Sequence, residues 1–105
     1  MTTLRLPLTV GDKLAAQRDA FGDTLVELID HDERVYVLDG DLANSTKADK
    51  ISRERPERFL QMGIAEQNMM GVAAGMASCG LVPWLSSFAC FLVNRDLDQL
   101  RVVVA

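Results

Sequence analysis

The stretch FLQMGIAEQNMMGVAAGMASCGLVPWL, residues 59–85, decides the fold of this 105-residue chain. Its beginning, FLQM, predicts a short strand, and Gly63 predicts a turn into a helix over residues 65–78. Residues 81–85 predict another strand. A strand, a helix and a strand in this order are typical of a right-handed crossover between parallel strands.

The segment before this unit continues the alternation of helices and strands. Residues 13–30 carry apolar side chains at helical spacings and predict an amphipathic helix, which Gly22 weakens slightly. The stretch VYVL, residues 35–38, predicts a buried parallel strand that ends in a loop. Residues 43–58 are polar, mixed in charge and interrupted by Pro56, so we expect a loop there with one short helix at most.

The segment after the unit predicts a helix over residues 88–100 and the start of an apolar β run over residues 102–104. Together these elements predict an α/β fold with a mostly parallel sheet and helices on both faces. We expect residues 1–12 to be an N-terminal extension and residues 13–105 to be part of a domain. A parallel strand at the end of the chain would need further chain, or a partner, to cover it.

The bulk composition argues against several classes of function. A net charge of −4 with no basic stripe disfavours nucleic acid as a partner. No apolar run approaches the roughly 20 residues of a membrane span. Because the N-terminus also lacks the apolar core of a signal peptide, we expect a cytoplasmic protein. Cys79 and Cys90 lack the spacing of a zinc or redox pair and are expected to be reduced, semi-buried packing residues.

Some residues could carry chemistry when judged by type and position alone. Glu66 falls in the first turn of its helix, where the dipole favours a carboxylate, and a structural acid is the favoured interpretation. Asp39 and Asp41 follow a strand end and could suggest Mg²⁺, although an Asp-Gly-Asp turn more often caps loop backbone. Phe88 and Phe91 could form an aromatic wall or pack in the core.

Other conspicuous residues are expected to be structural. Trp84 and Met62 are assigned to the core. Gly71 and Gly75 help to give the helix over residues 65–78 a face of small residues, which lets another backbone approach closely.

The motifs DGDLANST, PERFLQMGIAEQNMMGVAAGMASCGLVPWLSSFACFL and NRDLDQLR together resemble the pyrimidine-binding domain of transketolases. They occur in the family's order and cover most of residues 18–101. The resemblance is specific because GIAEQNM is followed by a glycine-rich helix and a phenylalanine pair. It implies the thiamine-diphosphate-binding fold and two-carbon ketol transfer between sugar phosphates.

The resemblance also implies the roles of individual residues. Glu66 would be the catalytic carboxylate, sharing a proton with a ring nitrogen of the cofactor's aminopyrimidine from an apolar pocket that raises its pKa. Phe88 would stack on the pyrimidine and Phe91 would shape the pocket. Asp41 would face the cofactor and the donor sugar. Asn94 departs from the family pattern, since many transketolases have an aromatic residue there, and this bears on donor preference.

The substrate and the metal complete what the resemblance implies. Arg18 and Ser45 match positions that hold substrate phosphate in many transketolases, where a guanidinium suits the phosphate geometry. The family holds the diphosphate and Mg²⁺ on a different domain, so we expect no metal ligand in this chain. That domain would belong to a companion subunit, as in split transketolases, within a homodimer or heterotetramer. The chain alone is then expected to be inactive.

Related and unrelated functions remain as alternatives. The β subunit of a 2-oxoacid dehydrogenase shares a glutamate motif but usually lacks the Asn-Met pair present at Asn68 and Met69. Deoxyxylulose-phosphate synthase uses a similar glutamate loop. A truncated, non-catalytic module that only binds a companion subunit is the alternative from another class.

Overall fold

The computed structural model describes residues 16–104, whose centre is a three-stranded parallel sheet. Strand β1, Val35–Asp39, lies in the middle, with β2, Phe59–Gln61, on one side and β3, Val82–Ser86, on the other. The β1–β3 pairing sets Val35 opposite Val82 and Asp39 opposite Ser86, so both strands end at the same edge of the sheet. The predicted α/β fold with a parallel sheet is confirmed.

Helical segments connect and follow the strands. The α-helices are α1 Gln17–His31, α2 Ala43–Thr46, α3 Asp49–Glu54, α4 Glu66–Ser78 and α5 Leu97–Gln99. A 3₁₀ turn covers Pro56–Arg58, and π-helical turns cover Cys90–Asn94 and Leu100–Val104.

Side chains on opposite faces of β1 enter two separate cores, because successive residues of a strand point to opposite faces. Val35 and Val37 pack in one core with residues of α1 and α3, including Leu25 and Ile51. Leu38 packs in the other core with Met69 and Ala73 of α4. The predicted arrangement of helices on both faces of the sheet is therefore present.

Two expectations about secondary structure were wrong. Residues 43–58 are mostly helical, because Ala48 and Ile51 are fully buried and their tertiary packing outweighs the polar composition around them. The valines at 102–104 continue a helical segment and form no strand. The helical hydrogen bonding begins upstream, with the Leu100 N–H donating to the Asp96 carbonyl oxygen at 2.8 Å. β-branched residues such as valine lower helix propensity only slightly, so the helical segment can continue through them.

Some side chains that were predicted to be buried are exposed. Cys79 and Cys90 are free and exposed, and Trp84 is 40% exposed, so the predicted packing roles of all three were wrong. A Cβ built on Gly71 or Gly75 would meet nothing within 4 Å among the described residues. The small-residue face of α4 therefore receives no close backbone from residues 16–104.

The expected N-terminal extension, residues 1–12, lies outside the described residues. Leu14, which belongs to the apolar pattern predicted for α1, lies outside them as well. Within the described range, no helix is long and apolar enough to cross a membrane.

Gly22 allows α1 to approach the chain after α2. A Cβ added there would lie 2.8 Å from the Lys47 carbonyl oxygen, closer than real Cβ contacts allow. We expect Gly22→Ala to lower the free energy of unfolding by about 1–2 kcal/mol, because the backbone would have to shift. This is the opposite of what the better helix propensity of alanine predicts.

Chemical denaturation of the assembled protein would check this prediction. Thr24→Ala, at an exposed position of the same helix, is the matched control because it raises helix propensity without a clash. A stabilised Gly22→Ala protein would show that helix propensity dominates at this position and that the contact is unimportant.

Candidate functional site

The loops that leave the three strands meet around Gly40, the residue after β1. A Cβ placed on Gly40 would lie 3.4 Å from the Ser87 Oγ, just after β3, and 3.6 Å from the carbonyl oxygen of Gly63, just after β2. Met69 of α4 lies equally close, at 3.6 Å. The carboxyl ends of parallel strands are where open α/β sheets place their ligands, so this edge is the natural position for a site.

Asp39 organises the loop after β1. Its buried Oδ2 accepts hydrogen bonds from the N–H of Asp41 at 2.9 Å, the N–H of Leu42 at 3.2 Å and Nε2 of Gln61 at 2.8 Å. These donors compensate Oδ2 for the loss of water, whereas Oδ1 is buried without a hydrogen-bond partner among the described residues. Asp39 thus caps loop backbone, as the structural interpretation of the Asp-Gly-Asp turn predicted.

Gln61, at the end of β2, joins two loops of the site. Its Oε1 accepts hydrogen bonds from the N–H of Asp41 at 3.0 Å and the N–H of Gly63 at 2.9 Å. The loop that carries Asp41 is thereby fixed to the turn that leads into α4. Gln61 was not predicted from the sequence, although its place at the end of a strand that neighbours the Asp-Gly-Asp strand was the available signal.

The backbone of Asp41 adopts a left-handed conformation, with φ of +67°. Aspartate tolerates this region better than most residues other than glycine. The Asp41 side chain is exposed at the strand-end edge of the sheet, so it is free to face a ligand there.

Glu66 begins α4 and is only 2% exposed. Its Oε2 accepts a hydrogen bond from Nη1 of Arg95 at 3.3 Å. Its Oε1 is buried and has no hydrogen-bond partner among the described residues. A buried carboxylate oxygen without a donor costs about 1–3 kcal/mol or more, so this oxygen can accept a proton or a donor from a ligand at low cost.

Arg95 connects Glu66 with the phenylalanine pair. Its guanidinium lies 4.5 Å from the centroid of the Phe91 ring, within the range of a cation–π contact. The carbonyl oxygen of Arg95 accepts a hydrogen bond from Nε2 of Gln67 at 3.0 Å, which ties the segment to the first turn of α4. Arg95 lies within the motif NRDLDQLR, but its contacts with Glu66 and Phe91 were not predicted from the sequence.

The two phenylalanine rings are stacked on each other. Their centroids lie 5.9 Å apart, with an angle of 17° between the ring planes. Phe91 is contacted by both Phe88 and Arg95, whereas Phe88 is 44% exposed. Of the two alternatives, an aromatic wall or core packing, the stacked and partly exposed pair favours the wall, and Phe88 is the more exposed ring.

Two shallow grooves adjoin Arg95. The first, of about 350 Å³, is lined by Glu66, Arg95 and the neighbouring residues Ile64, Ala65, Gln67 and Asn68. The second, of about 510 Å³, is lined by Arg95, by Asn94 and by residues from 97 to 102. Asn94 therefore lies beside the Glu66 groove and does not line it.

Arg18 and Ser45, the two residues predicted to hold substrate phosphate, lie together. Nη1 of Arg18 donates to the Ser45 carbonyl oxygen at 3.4 Å, and both residues are exposed. Ser45 also lines a groove of about 420 Å³ that includes Asp41 and Gln61. The Arg18 guanidinium, on α1, thus contacts a residue of the groove at the carboxyl edge of the sheet.

Asp96 is a second buried carboxyl group near Glu66 that the sequence analysis did not single out. It is fully buried, and neither of its carboxyl oxygens has a hydrogen-bond partner in the described part of the chain. Burial raises the pKa of Asp96, the charge of Glu66 raises it further, and Arg95 lowers it. The described residues contain no group of three or more His, Cys, Asp or Glu side chains placed to hold a metal ion.

The parallel sheet and the polar groups at its strand ends define an α/β domain of the class that places its ligand site at the carboxyl edge of the sheet. Residues 13–105 match the family described as the transketolase pyrimidine-binding domain, and the chain belongs to this family.

Individual relatives agree with this membership. The chain is 44% identical over 88 residues to a putative transketolase C-terminal section from Methanocaldococcus jannaschii, an alignment that covers 84% of this chain and 28% of the relative. It is 40% identical over 88 residues to the 6-deoxy-6-sulfo-D-fructose transketolase subunit SqwH from Clostridium sp. (strain MSTE9), covering 84% of this chain and 27% of the relative.

A solved structure agrees in fold as well as in sequence. It is described as a split gene transketolase in an inactive β4 tetramer, and it matches with a TM-score of 0.73 and 46% identity over 82% of this chain and 29% of that one. The chain therefore spans less than a third of the length of each of these relatives.

Proposed function

We propose that this chain supplies the pyrimidine-binding half of a thiamine-diphosphate-dependent transketolase. The observation that carries the proposal is a buried Glu66, whose Oε1 lacks a donor among the described residues, linked through Arg95 and Phe91 to a half-exposed Phe88. Glu66 can exchange a proton with an aromatic ring nitrogen, and Phe88 offers a face on which such a ring can stack.

The residues present fit the aminopyrimidine of the cofactor. Glu66 would hold a proton at its free Oε1, while Arg95 fixes the carboxylate through Oε2. Phe88 would stack on the aminopyrimidine ring and exclude water from it, and Phe91 would pack against the Phe88 ring. When bound, thiamine diphosphate would supply the electron sink for breaking a carbon–carbon bond of a ketose.

We place the diphosphate and Mg²⁺ on a companion subunit, as the family resemblance implies. The names of two relatives, a C-terminal section and a subunit, support a divided enzyme. A complete site would then form in a homodimer or heterotetramer that includes the companion. Residues 13–105 would be one part of the pyrimidine-binding domain in that assembly.

Arg18 and Ser45 are proposed to hold the anionic end of the sugar substrate, and Asp41 to face the cofactor and the donor sugar. A guanidinium suits both a phosphate and a sulfonate group. The name of the Clostridium relative refers to a sulfo sugar. Our proposed substrate is a sugar phosphate, and the same assay should also test the sulfo sugar.

A reconstitution experiment tests the proposed function. The chain would be purified with its companion subunit and assayed for transfer from a ketose phosphate to an aldose, with and without thiamine diphosphate and Mg²⁺. We expect transfer only when both are present, and no turnover by the chain alone.

Two other outcomes would overturn the proposal. Decarboxylation of a 2-oxoacid without ketol transfer would favour the 2-oxoacid dehydrogenase alternative. An assembly that forms without binding the cofactor would favour the non-catalytic module.

A further inference from the structure

Asp96 occupies a buried position next to the Glu66 site, where no described residue donates a hydrogen bond to its carboxyl group. It lies in the turn between the π-helical turn Cys90–Asn94 and α5, and its side chain is fully buried. Both carboxyl oxygens lack hydrogen-bond partners within residues 16–104. An ionised carboxylate in such a place would bear the full cost of desolvation.

The two neighbouring charges act on this cost in opposite directions, since Glu66 raises it and Arg95 lowers it. The charged groups that act on Asp96 are Glu66, from α4, and Arg95, from its own turn. The Arg95 guanidinium already donates to Glu66 and is 48% exposed, so water weakens its effect. Two ionised carboxylates would therefore leave one uncompensated negative charge inside the site, and a proton on one of them removes it.

We propose that Asp96 is a positioning residue of the Glu66 site, whose protonated carboxyl group leaves the Arg95 guanidinium to Glu66. The role assigned to Glu66 rests on the proposed function, whereas the protonation of Asp96 does not. The raised pKa of Asp96, caused first by burial and then by the charge of Glu66, supports the proposal. When Asp96 ionises, it adds a second negative charge beside Glu66 and competes for Arg95.

The proposal has a consequence for stability with a definite sign. The pKa of Asp96 is raised in the folded protein above its ordinary value of 3.8, so the folded state binds a proton more tightly than the unfolded state. Stability is therefore lost as the pH rises from this ordinary value through the folded pKa. Because a side-chain amide does not ionise in this range, the Asp96→Asn variant should escape this loss.

The first arm of the test is thermal unfolding of the assembled complex over a range of pH. At about pH 8, Asp96→Asn should raise the Tm by about 2–4 °C, and the difference should shrink as the pH approaches about 4.5. The matched control is Asp98→Asn, which removes the same charge from an exposed position in α5 and should shift the Tm by less than about 1 °C.

The outcomes of this arm decide the protonation state. A Tm that falls in Asp96→Asn at about pH 8, or a difference that does not change with pH, would mean that Asp96 is ionised and partnered in the assembly. Asp96→Leu is a second neutral variant of similar size and should assemble as well. Failure of both variants to assemble would overturn the proposal, since a neutral side chain should be accepted there.

The second arm measures the dissociation constant of thiamine diphosphate as a function of pH by calorimetry. In the unmodified complex, affinity should fall on the alkaline side as Asp96 ionises. Asp96→Asn should move this fall by about one pH unit or more towards alkaline pH, and Asp98→Asn should not. An unchanged pH profile would overturn the positioning role. A complex that binds no cofactor would refute the proposed function instead, and the stability arm would still decide the state of Asp96.

Discussion

Replacing Glu66 with glutamine in the assembled enzyme should lower turnover by about 10²–10⁴-fold, the range typical of losing a general acid–base group. Glutamine keeps the size of the side chain and its oxygen near Arg95, but it cannot exchange a proton at the position of the free Oε1. We expect folding to be largely intact, because Arg95 is 48% exposed and can be solvated after losing its partner. Glu66→Ala should nearly abolish turnover as well.

Turnover and thermal unfolding would be measured side by side for this prediction. Glu57→Gln is the matched control, because it makes the same change at an exposed residue of the turn Pro56–Arg58. The control should keep the activity of the unmodified complex. If Glu66→Gln kept it too, Glu66 would be the structural helix-start acid that its position alone suggests.

The second large effect concerns cofactor affinity. Phe88→Ala should weaken the binding of thiamine diphosphate by about tenfold to a hundredfold, since removing an aromatic platform costs about 1–3 kcal/mol per stacked ring. The effect should be larger than that of other apolar truncations nearby, because Phe88 keeps 44% of its surface exposed for a ligand. Calorimetric titration of the assembled complex would measure it.

Two variants separate stacking from general loss of apolar surface. Phe88→Tyr keeps a ring and should bind the cofactor almost as well as the unmodified protein. Val93→Ala removes apolar surface at a 52% exposed position of the π-helical turn Cys90–Asn94, which follows Phe88, and should leave the affinity within about twofold. Equal affinities of Phe88→Ala and the unmodified complex would contradict the stacking role.

Hydrogen bonds from polar groups join the loops of different strands at the site. Asp39 and Gln61, at the ends of two neighbouring strands, together hold the backbone of Asp41 and the turn at Gly63. Asp39 is the last residue of β1, and Gln61 is the last residue of β2. Catalytic side chains on such a frame are held in place more precisely than side chains on a free loop.

The elements that the sequence predicted correctly are those with a strong local pattern. The run VYVL before Asp39, the apolar spacing of α1 and the small apolar residues of α4 each identify one element. The valines at 102–104 carry an equally local β signal, yet they continue a helical segment. Local propensity contributes only tenths of a kcal/mol per residue, so hydrogen bonding and packing elsewhere can override it.

The residues of the candidate site also differ in how far the sequence predicted their roles. By its position alone, Glu66 was an ordinary helix-start acid, and only the resemblance of the surrounding motifs pointed to chemistry. Its burial, its free Oε1 and its contact with Arg95, 29 residues away, depend on how α4 packs against the segment after β3. Asp96 gave no local signal, and the only signal for Gln61 was its place at the end of a strand that neighbours the Asp-Gly-Asp strand.

The sequence by itself determined the three strands, the helices α1 and α4, the parallel sheet and the family, because these follow from short-range patterns and motifs along the chain. The tertiary structure alone decided which carboxyl groups are buried and which polar groups meet. Whether a carboxyl group is buried, and which polar group it contacts, depends on distances between residues that are far apart in sequence. Burial and these contacts also set the cost of desolvating each charge, and so they determine where a proton is held.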